Sequence, residues 1–210
     1  MLKLKILLTI KIKLRQLLVE FSFTSFVDEI KMLVKTNSKI TSLNQLKGLT
    51  VATMADTTVA DVIANYQKTN ALIDVILTNT ADEAFSLVES GQVAAWIYDV
   101  SVLALYRASS TNPNDFTIVG DVLAYDPISV FFRKDDPKFT FVVDEAVLKI
   151  IKTGLISKLH EKWFQSPISP NQINLQLIPS DSTQLSWTDP HKIPSEAYPL
   201  IRNANFIPSF

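Results

Sequence analysis

The stretch from Thr50 to Asp99 decides the fold and reads TVATMADTTVADVIANYQKTNALIDVILTNTADEAFSLVESGQVAAWIYD. Three short apolar runs in it predict strands, and two intervening runs with apolar residues at helical spacing predict helices. The predicted strands are 50–54, 73–77 and 93–98, and the predicted helices are 56–69 and 80–90. The third strand contains VAAWIY, which is apolar throughout and therefore typical of a strand covered on both faces.

The same alternation continues toward the carboxyl end of the chain. The further predicted elements are a helix at 100–108, strands at 116–119 and 125–133, and a helix that begins at Asp136-Pro137. A last helix over 155–164 is expected to bury Leu155, Leu159 and Trp163 and to leave His160 on the surface. Strands that alternate with helices predict an α/β fold with a parallel sheet and helices on its faces.

The composition excludes several classes of protein. The chain has 210 residues, of which 47% are hydrophobic, and a net charge of −1, so it can form a core and has no overall attraction to nucleic acid. It has no cysteine, two histidines and four widely separated glycines. It therefore lacks Cys-based zinc sites, HExxH, Walker A loops, GxGxxG turns and GxSxG elbows. These absences favour a non-catalytic binding protein.

The two ends of the chain differ from its middle. Alternating apolar and basic residues at 2–5 and 10–14 predict a half-buried strand, which we favour over a signal peptide because Lys11 and Lys13 interrupt the apolar run. Residues 167–210 carry seven of the ten prolines, and this density disfavours long helices and central strands. The segment is therefore expected to form an irregular arm on the surface.

Polar residues follow each strand of the opening stretch. Asp56-Thr57-Thr58 comes after the first strand at a helix N-terminus, where free N–H groups and the helix dipole attract a carboxylate. Thr78-Asn79-Thr80 follows the second strand, and Asp99 follows the third, where its carboxylate can hold an ammonium group. Thr57, Thr80 and Asp99 have the alternative interpretation of helix caps; we favour it for Thr80 and weigh it evenly against ligand binding for Asp99. Together these positions predict a pocket for a zwitterion at the carboxyl ends of the strands.

The chain also resembles a known family over roughly residues 12–185. The segments that carry the resemblance are Leu14-Arg15, VEFS at 19–22, MLVK at 32–35, ITSLNQLKG at 40–48, Asp56-Thr57-Thr58, LVESG at 87–91, WIYDVSVL at 96–103, FRKDDP at 132–137 and EKWFQSPISP at 161–170. Their order and spacing are similar to those of the periplasmic amino-acid-binding proteins of ABC importers, solute-binding protein family 3, above all the glutamate/aspartate-binding branch.

The resemblance implies an α/β fold of the periplasmic-binding-protein type II, with two lobes joined by a hinge. Lobe one would consist of 1–35 and 125–166, lobe two would be 36–124, and 167–210 would be a proline-rich C-terminal arm. The opening elements of the family are not found ahead of residue 10, so lobe one is expected to be incomplete. A ligand would close the two lobes about the hinge.

Four residues of this chain match ligand-binding positions of the family. Arg15 stands where the family has the arginine that forks onto the ligand α-carboxylate. Thr57 and Thr58 match the loop that adds hydrogen-bond donors to the same carboxylate. Asp99 matches the aspartate that takes the α-ammonium group.

Three positions depart from the family pattern, and the first is Ile12, which stands three residues before Arg15 where a Ser or Thr is usual. Asp56 replaces the usual glycine and places a negative charge beside the expected carboxylate seat. Ala81 stands where the glutamate/aspartate branch has a histidine for the side-chain carboxylate of the ligand. The resemblance therefore does not favour an acidic amino acid over a neutral one.

The function implied by the resemblance is that of a periplasmic solute-binding component of an ABC importer. Such a protein binds an amino acid without chemistry, passes it to a membrane permease, is a monomer and needs no cofactor, metal or nucleic acid. Two alternatives remain open at this point. One is a cyclohexadienyl dehydratase-like enzyme on the same fold, and the other is a degenerate relative that binds no ligand.

Overall fold

The chain folds into two compact units. The computed structural model describes residues 7–70 and 73–198. Unit 1 contains the described residues of Met1–Asp28, Tyr125–Gln165 and Ile178–Phe210, and unit 2 contains those of Glu29–Ala124 and Ser166–Leu177.

Unit 2 is built on three parallel strands that alternate with helices along the chain. Its elements are β4 (Thr50–Met54), α2 (Thr58–Asn70), β5 (Asp74–Thr78), α3 (Ala81–Ser90), β6 (Ala95–Asp99) and α4 (Val100–Ser109). β4 lies in the middle and pairs in parallel with β5 on one side and with β6 on the other. The predicted alternation is confirmed, and the bounds differ from the predicted ones by at most two residues.

Helices cover both faces of this parallel sheet, as the continuous apolar strand predicts. Val51 of β4 packs with Val59 and Ile63 of α2 on one face. The next residue, Ala52, packs with Phe85 of α3 on the opposite face. Successive side chains of a strand point to opposite faces, so both rows of β4 are buried.

The strand β5 is less well covered than its neighbours. Within the described part of unit 2, β5 pairs only with β4 and is the last strand in the sheet order. Ile76 and Leu77 on this strand are 39% and 58% exposed. β5 is therefore an edge strand with apolar side chains in contact with solvent.

Two long strands, β3 (Phe26–Lys35) and β7 (Phe116–Arg133), pass from one unit into the other. They are neighbours in the sheet order, and β3 also pairs antiparallel with β6. The strands predicted at 116–119 and 125–133 are therefore parts of one strand, and the first does not join the parallel set. Gly120, at a φ of +89°, interrupts the apolar pattern of β7. This interruption is the reason that two strands were predicted instead of one.

Unit 1 combines short strands from the beginning of the chain with helices from its second half. Its further elements are β1 (Leu7–Ile10), α1 (Lys13–Gln16), β2 (Val19–Phe21), α5 (Pro137–Lys152), α6 (Leu155–His160), a π-helical turn (Glu161–Gln165) and α7 (Asp181–Thr188). β1 and β2 both pair antiparallel with the second part of β7. The Asp136 carboxylate accepts a hydrogen bond from the Phe139 N–H at 3.1 Å and so caps α5, which confirms the predicted helix start.

The helix α6 and the π-helical turn after it bury a different set of side chains from the predicted one. Leu155, Leu159 and Trp163 were expected to be buried, but they are 41–49% exposed. His160 is instead nearly fully buried and stacks on Phe164, with 4.6 Å between the ring centroids. Burial lowers the pKa of His160 and so favours the neutral form of its imidazole ring. The prediction for this helix is therefore wrong.

The proline-rich segment is not an irregular surface arm throughout. Its middle forms α7, and the hydroxyl of the buried Thr183 donates to the Val27 carbonyl at 2.9 Å and accepts from the Val27 N–H at 3.1 Å. The Trp187 indole N–H donates to the Ser25 carbonyl at 2.8 Å. The prediction is wrong here because the prolines lie before and after α7, where they do not interrupt its hydrogen bonds.

The beginning of the chain also departs from its predicted strand. β1 ends at Ile10, and the chain turns into the short helix α1 instead of continuing as a strand to Leu14. Lys11, which the alternation placed on a solvent-facing side, is fully buried, whereas Leu14 is exposed. The alternation predicted at 2–5 lies outside the described residues.

Lys11 is thus a buried amine in unit 1. Its Nζ donates to the Ser22 carbonyl oxygen at 2.7 Å. Burial, together with the positive charge of Lys192, lowers the pKa of Lys11 to about 7, although the carboxylates of Asp144 and Glu20 act in the opposite direction. The charged form of Lys11 is therefore unfavourable in the folded state.

We expect Lys11 to make the stability of the chain depend on pH. Its pKa falls from 10.5 to about 7 on folding, so between these values the unfolded chain binds more protons than the folded one. The free energy of unfolding should therefore rise as the pH increases from 7 to 10.5, and Lys11 should contribute no slope below pH 7. Lys11→Met should abolish this rise and stabilise the chain at pH 6 by up to about 5 kcal/mol.

Urea unfolding at pH 6, 8 and 10 measures this effect. Lys158→Met is the matched control, because Lys158 is exposed on α6 in the same unit. The control should keep the pH profile of the unaltered chain. Identical profiles for both variants would show that the buried amine does not cause the pH dependence.

Candidate functional site

The carboxyl ends of β4, β5 and β6 share one edge of the unit 2 sheet, because the three strands are parallel. Met54 at the end of β4 pairs with Thr78 at the end of β5. The N–H of Ala55, the next residue, donates to the Thr78 carbonyl at 2.9 Å. Asp99 ends β6 on the other side of β4. The three polar positions predicted from the sequence in this unit therefore lie along the same edge.

Thr57 and Thr58 open α2, a helix of 13 residues. The Thr57 hydroxyl donates to the Met54 carbonyl at 2.8 Å and accepts from the Ala60 N–H at 3.3 Å, so Thr57 caps the helix. Thr58 is the first helical residue and is half-buried. The N–H groups of a first turn lack partners within the helix, and the helix dipole adds a positive potential there. This end of α2 is suited to a carboxylate.

The backbone of Asp56 explains why a glycine was expected at its position. Its φ is +56°, in the left-handed region that glycine reaches without strain and that aspartate tolerates better than most residues. The Asp56 side chain is exposed. Its negative charge therefore opposes anion binding at α2 only weakly, since water screens it.

The polar residues after β5 make hydrogen bonds that stabilise the start of α3 and the end of the strand. The Thr80 hydroxyl accepts from the Glu83 N–H at 3.2 Å, and the Glu83 carboxylate accepts from the Asn79 N–H at 2.8 Å. The buried Thr78 hydroxyl lies 3.3 Å from the Thr53 carbonyl oxygen and 3.1 Å from that of Thr80. The predicted role of Thr80 as a helix cap is confirmed.

Asp99 occupies the junction between β6 and α4. Its backbone pairs with Ile30 of β3, and its half-buried side chain makes no capping hydrogen bond to α4. The interpretation of Asp99 as a helix cap is therefore wrong. Its contact with a ligand stays a prediction.

Arg15 lies in unit 1, on the short helix α1. Its Nη1 donates to the Thr9 hydroxyl at 2.7 Å and to the Ile10 carbonyl at 3.1 Å. These two bonds hold the half-buried guanidinium against the end of β1 and fix its plane, which is the feature that distinguishes arginine from lysine as a carboxylate ligand. Its contact with a ligand also stays a prediction.

Three buried carboxylates were missed by the sequence analysis. Asp28 and Glu29 on β3 and Asp126 on β7 are nearly fully buried. The Glu29 carboxylate lies 3.6 Å from the Lys31 ammonium group. Acidic residues are almost never buried without partners, so two adjacent acids within the apolar run FVDEIKMLV are the signal that would have identified the first two.

The described residues offer few other functional features. No group of three or more His, Asp or Glu side chains among them is arranged to hold a metal ion. Of the helices in residues 7–70 and 73–198, none is long and apolar enough to cross a membrane. The unit 2 edge combines hydrogen-bond donors at the start of α2 with the carboxylate of Asp99.

Comparison with known protein families identifies the family of this chain. Residues 8–166 match the family described as bacterial extracellular solute-binding proteins, family 3. The chain belongs to this family. The family predicted from the order and spacing of the sequence segments is confirmed.

Two curated relatives of this family 3 chain are named for binding glutamate and aspartate. The glutamate/aspartate import solute-binding protein of Escherichia coli K12 is 28% identical over 179 residues, which cover 84% of the chain and 59% of the relative. The L-glutamate/L-aspartate-binding protein of Pseudomonas aeruginosa is 29% identical over 168 residues, which cover 80% and 56%. Both are named as binding proteins. The family 3 chain spans less than three fifths of the length of either one.

A solved structure supports the same assignment. An ancestral arginine-binding protein bound to arginine aligns with a TM-score of 0.63 and 27% identity, covering 74% of the family 3 chain and 69% of its own chain. The predicted α/β fold of the periplasmic-binding-protein type II is confirmed, and the chain covers part of that fold.

We expect Thr57 to stabilise unit 2 through its capping hydrogen bond. Thr57→Ala removes the acceptor for the Ala60 N–H and should lower the free energy of unfolding by about 1 kcal/mol. Thr57→Ser keeps a hydroxyl at the cap and should retain most of this stability. Urea unfolding of both variants measures the difference. Equal stability of the two variants would contradict a capping role for Thr57.

Proposed function

We propose that this chain is the amino-acid-binding component of an ABC importer and that it binds its ligand without chemical change. The observation that carries the proposal is the shared edge of β4 and β6, where Thr57 and Thr58 at a helix N-terminus accompany the carboxylate of Asp99. Membership of solute-binding family 3 and the names of the relatives support the same function.

The proposed ligand contacts follow from the charges of an α-amino acid. Its carboxylate accepts hydrogen bonds from backbone N–H groups at the start of α2, where Thr57 and Thr58 lie, and from the guanidinium of Arg15. Its ammonium group donates to Asp99 in a charge-assisted hydrogen bond. The bonds that hold the Arg15 guanidinium in place support this role, because a pre-oriented donor loses less entropy on binding.

The side chain of the ligand is the least constrained part of the proposal. Ala81 stands where the glutamate/aspartate branch has a histidine, and its methyl group offers no charge to an acidic side chain. Neutral amino acids are therefore candidates beside glutamate and aspartate.

We further propose that the protein works in the periplasm as a monomer and delivers its ligand to a membrane permease. The description of the family as extracellular supports a location outside the cytoplasm. The net charge of −1 supports the absence of nucleic acid among its partners, since it provides no general attraction to phosphates.

A thermal-shift screen with the twenty amino acids tests the proposed function. A ligand that binds only the folded chain raises its stability, by about 2.7 kcal/mol at one hundred times its Kd. For a chain of this size, the melting temperature should then rise by about 5–10 °C. The D-enantiomer of any active amino acid is the control and should give a smaller rise, because it cannot place all three α-substituents on the same contacts.

Two results would contradict the proposal. If no amino acid stabilised the chain, the degenerate, non-binding alternative would be favoured. If prephenate were converted to phenylpyruvate, the dehydratase-like alternative would be favoured.

We expect Asp99 to contribute strongly to affinity and little to stability. Asp99→Ala should weaken amino-acid binding by about 2–4 kcal/mol, since the buried ammonium group would lose its charged partner. This corresponds to roughly a 30- to 1,000-fold rise in Kd. The melting temperature of the ligand-free variant should change little in comparison with this loss of affinity.

Isothermal titration calorimetry with the active amino acid measures this loss. Asp121→Ala is the matched control, because Asp121 is an exposed residue of β7 in the same unit. The control should keep the affinity of the unaltered chain. An unchanged affinity in Asp99→Ala would exclude Asp99 from the binding site.

A further inference from the structure

A cavity of about 220 Å³, partly open to solvent, lies against the helix α2 in unit 2. Val62, Ile63 and Tyr66 of α2 line one side, and Ile97 of β6 and Leu123 of β7 line the other. Ile63 and Ile97 are almost fully buried, so the cavity reaches the apolar core between α2 and the sheet. It shares no described lining residue with the proposed amino-acid site.

The wall of this cavity is unsuitable for water or for a charged ligand. Leu43 and Ile73 complete the described lining, in which no residue is charged and only Tyr66 carries a polar side-chain group. A water molecule there finds few of the two to four polar partners that a buried water needs, and an apolar cavity of about 150 Å³ is known to bind benzene. An ion would lose its hydration without gaining a partner.

The cavity has room for more than a water molecule, since its volume is about 220 Å³. The side chains that line it lack packed neighbours on their open side, and a ligand of matching shape would supply these dispersion contacts. A space of 220 Å³ is larger than benzene requires and suits a molecule of one or two rings.

We propose that unit 2 has a second binding site, in this cavity, for a small uncharged aromatic molecule of about the size of indole. The aliphatic side chains provide apolar contact on both sides of the ring system. The Tyr66 ring provides an aromatic partner, which favours a flat aromatic ligand over a branched aliphatic one. This site is independent of the amino-acid site and does not rest on the proposed function.

Indole and its charged analogue indole-3-carboxylate are the probes that test the proposal. Indole at ten times its Kd should raise the melting temperature of the full chain by about 3–6 °C. Indole-3-carboxylate has the same ring system but carries a charge, so it should give little or no rise. Calorimetry should give a stoichiometry of one indole per chain.

A variant that fills the cavity identifies the site. Val62→Phe enlarges a half-buried side chain of the cavity wall and should abolish the response to indole without lowering the melting temperature of the ligand-free chain. Val142→Phe is the matched control, because Val142 is exposed on α5 in unit 1. The control should keep the full response. If Val62→Phe failed to fold, changes in the NMR signals of α2 in the unaltered chain on addition of indole would locate the ligand.

The possible results separate this proposal from the proposed function. No response of the unaltered chain to indole up to its solubility limit would overturn the second site. An equal response of Val62→Phe, or of indole-3-carboxylate, would also overturn it. The amino-acid screen applied to Val62→Phe tests the amino-acid site separately from the indole site. If the unaltered chain responded to indole but to no amino acid, the proposed function alone would be refuted.

Discussion

The parallel pairing of β4 with β5 and β6 is the constraint on which unit 2 depends. Parallel strands need a crossover between them, so α2 and α3 must run back across the sheet before β5 and β6 begin. Val51 and Ala52 show the result, since adjacent residues of β4 are buried under different helices. The same constraint brings the carboxyl ends of the strands to one edge. Thr57 and Asp99 lie together there, although 42 positions separate them in the sequence, because β4 and β6 are direct neighbours.

Much of this architecture could be predicted because its signals are local. β4 has the predicted bounds, and the capping residues Thr80 and Asp136 act as expected. A cap, a proline in a first turn or an apolar run acts on residues only a few positions away, so the sequence contains the whole cause. The candidate residues Thr57, Thr58 and Asp99 could be found in the same way, from their positions just after predicted strands. That the side chain of Asp99 does not cap α4 could not be predicted, since cap and ligand residue share the same local pattern.

The failed predictions concern residues whose environment comes from distant parts of the chain. Two sets of side chains on α6 and the turn after it have the same spacing, and contacts with the remote rings of Phe26 and Trp187 hold His160 inside. Lys11 follows an alternating pattern, yet the carbonyl of Ser22 and the surrounding segments of unit 1 enclose it. The helix α7 forms within a proline-rich segment because Thr183 and Trp187 bond to β3 and to the segment just before it. Periodicity describes a segment by itself and does not reveal these partners.

The position of β5 has a consequence for the behaviour of the protein in concentrated solution. A strand that is paired on one side presents a row of backbone N–H and C=O groups to any extended chain that approaches it. On β5, the exposed Ile76 and Leu77 add apolar contacts to these groups, and Asp74 is the only charged residue of the strand. Intermolecular strand addition would therefore start at this edge, and self-association of the purified protein would begin with β5 of one molecule aligned against β5 of another.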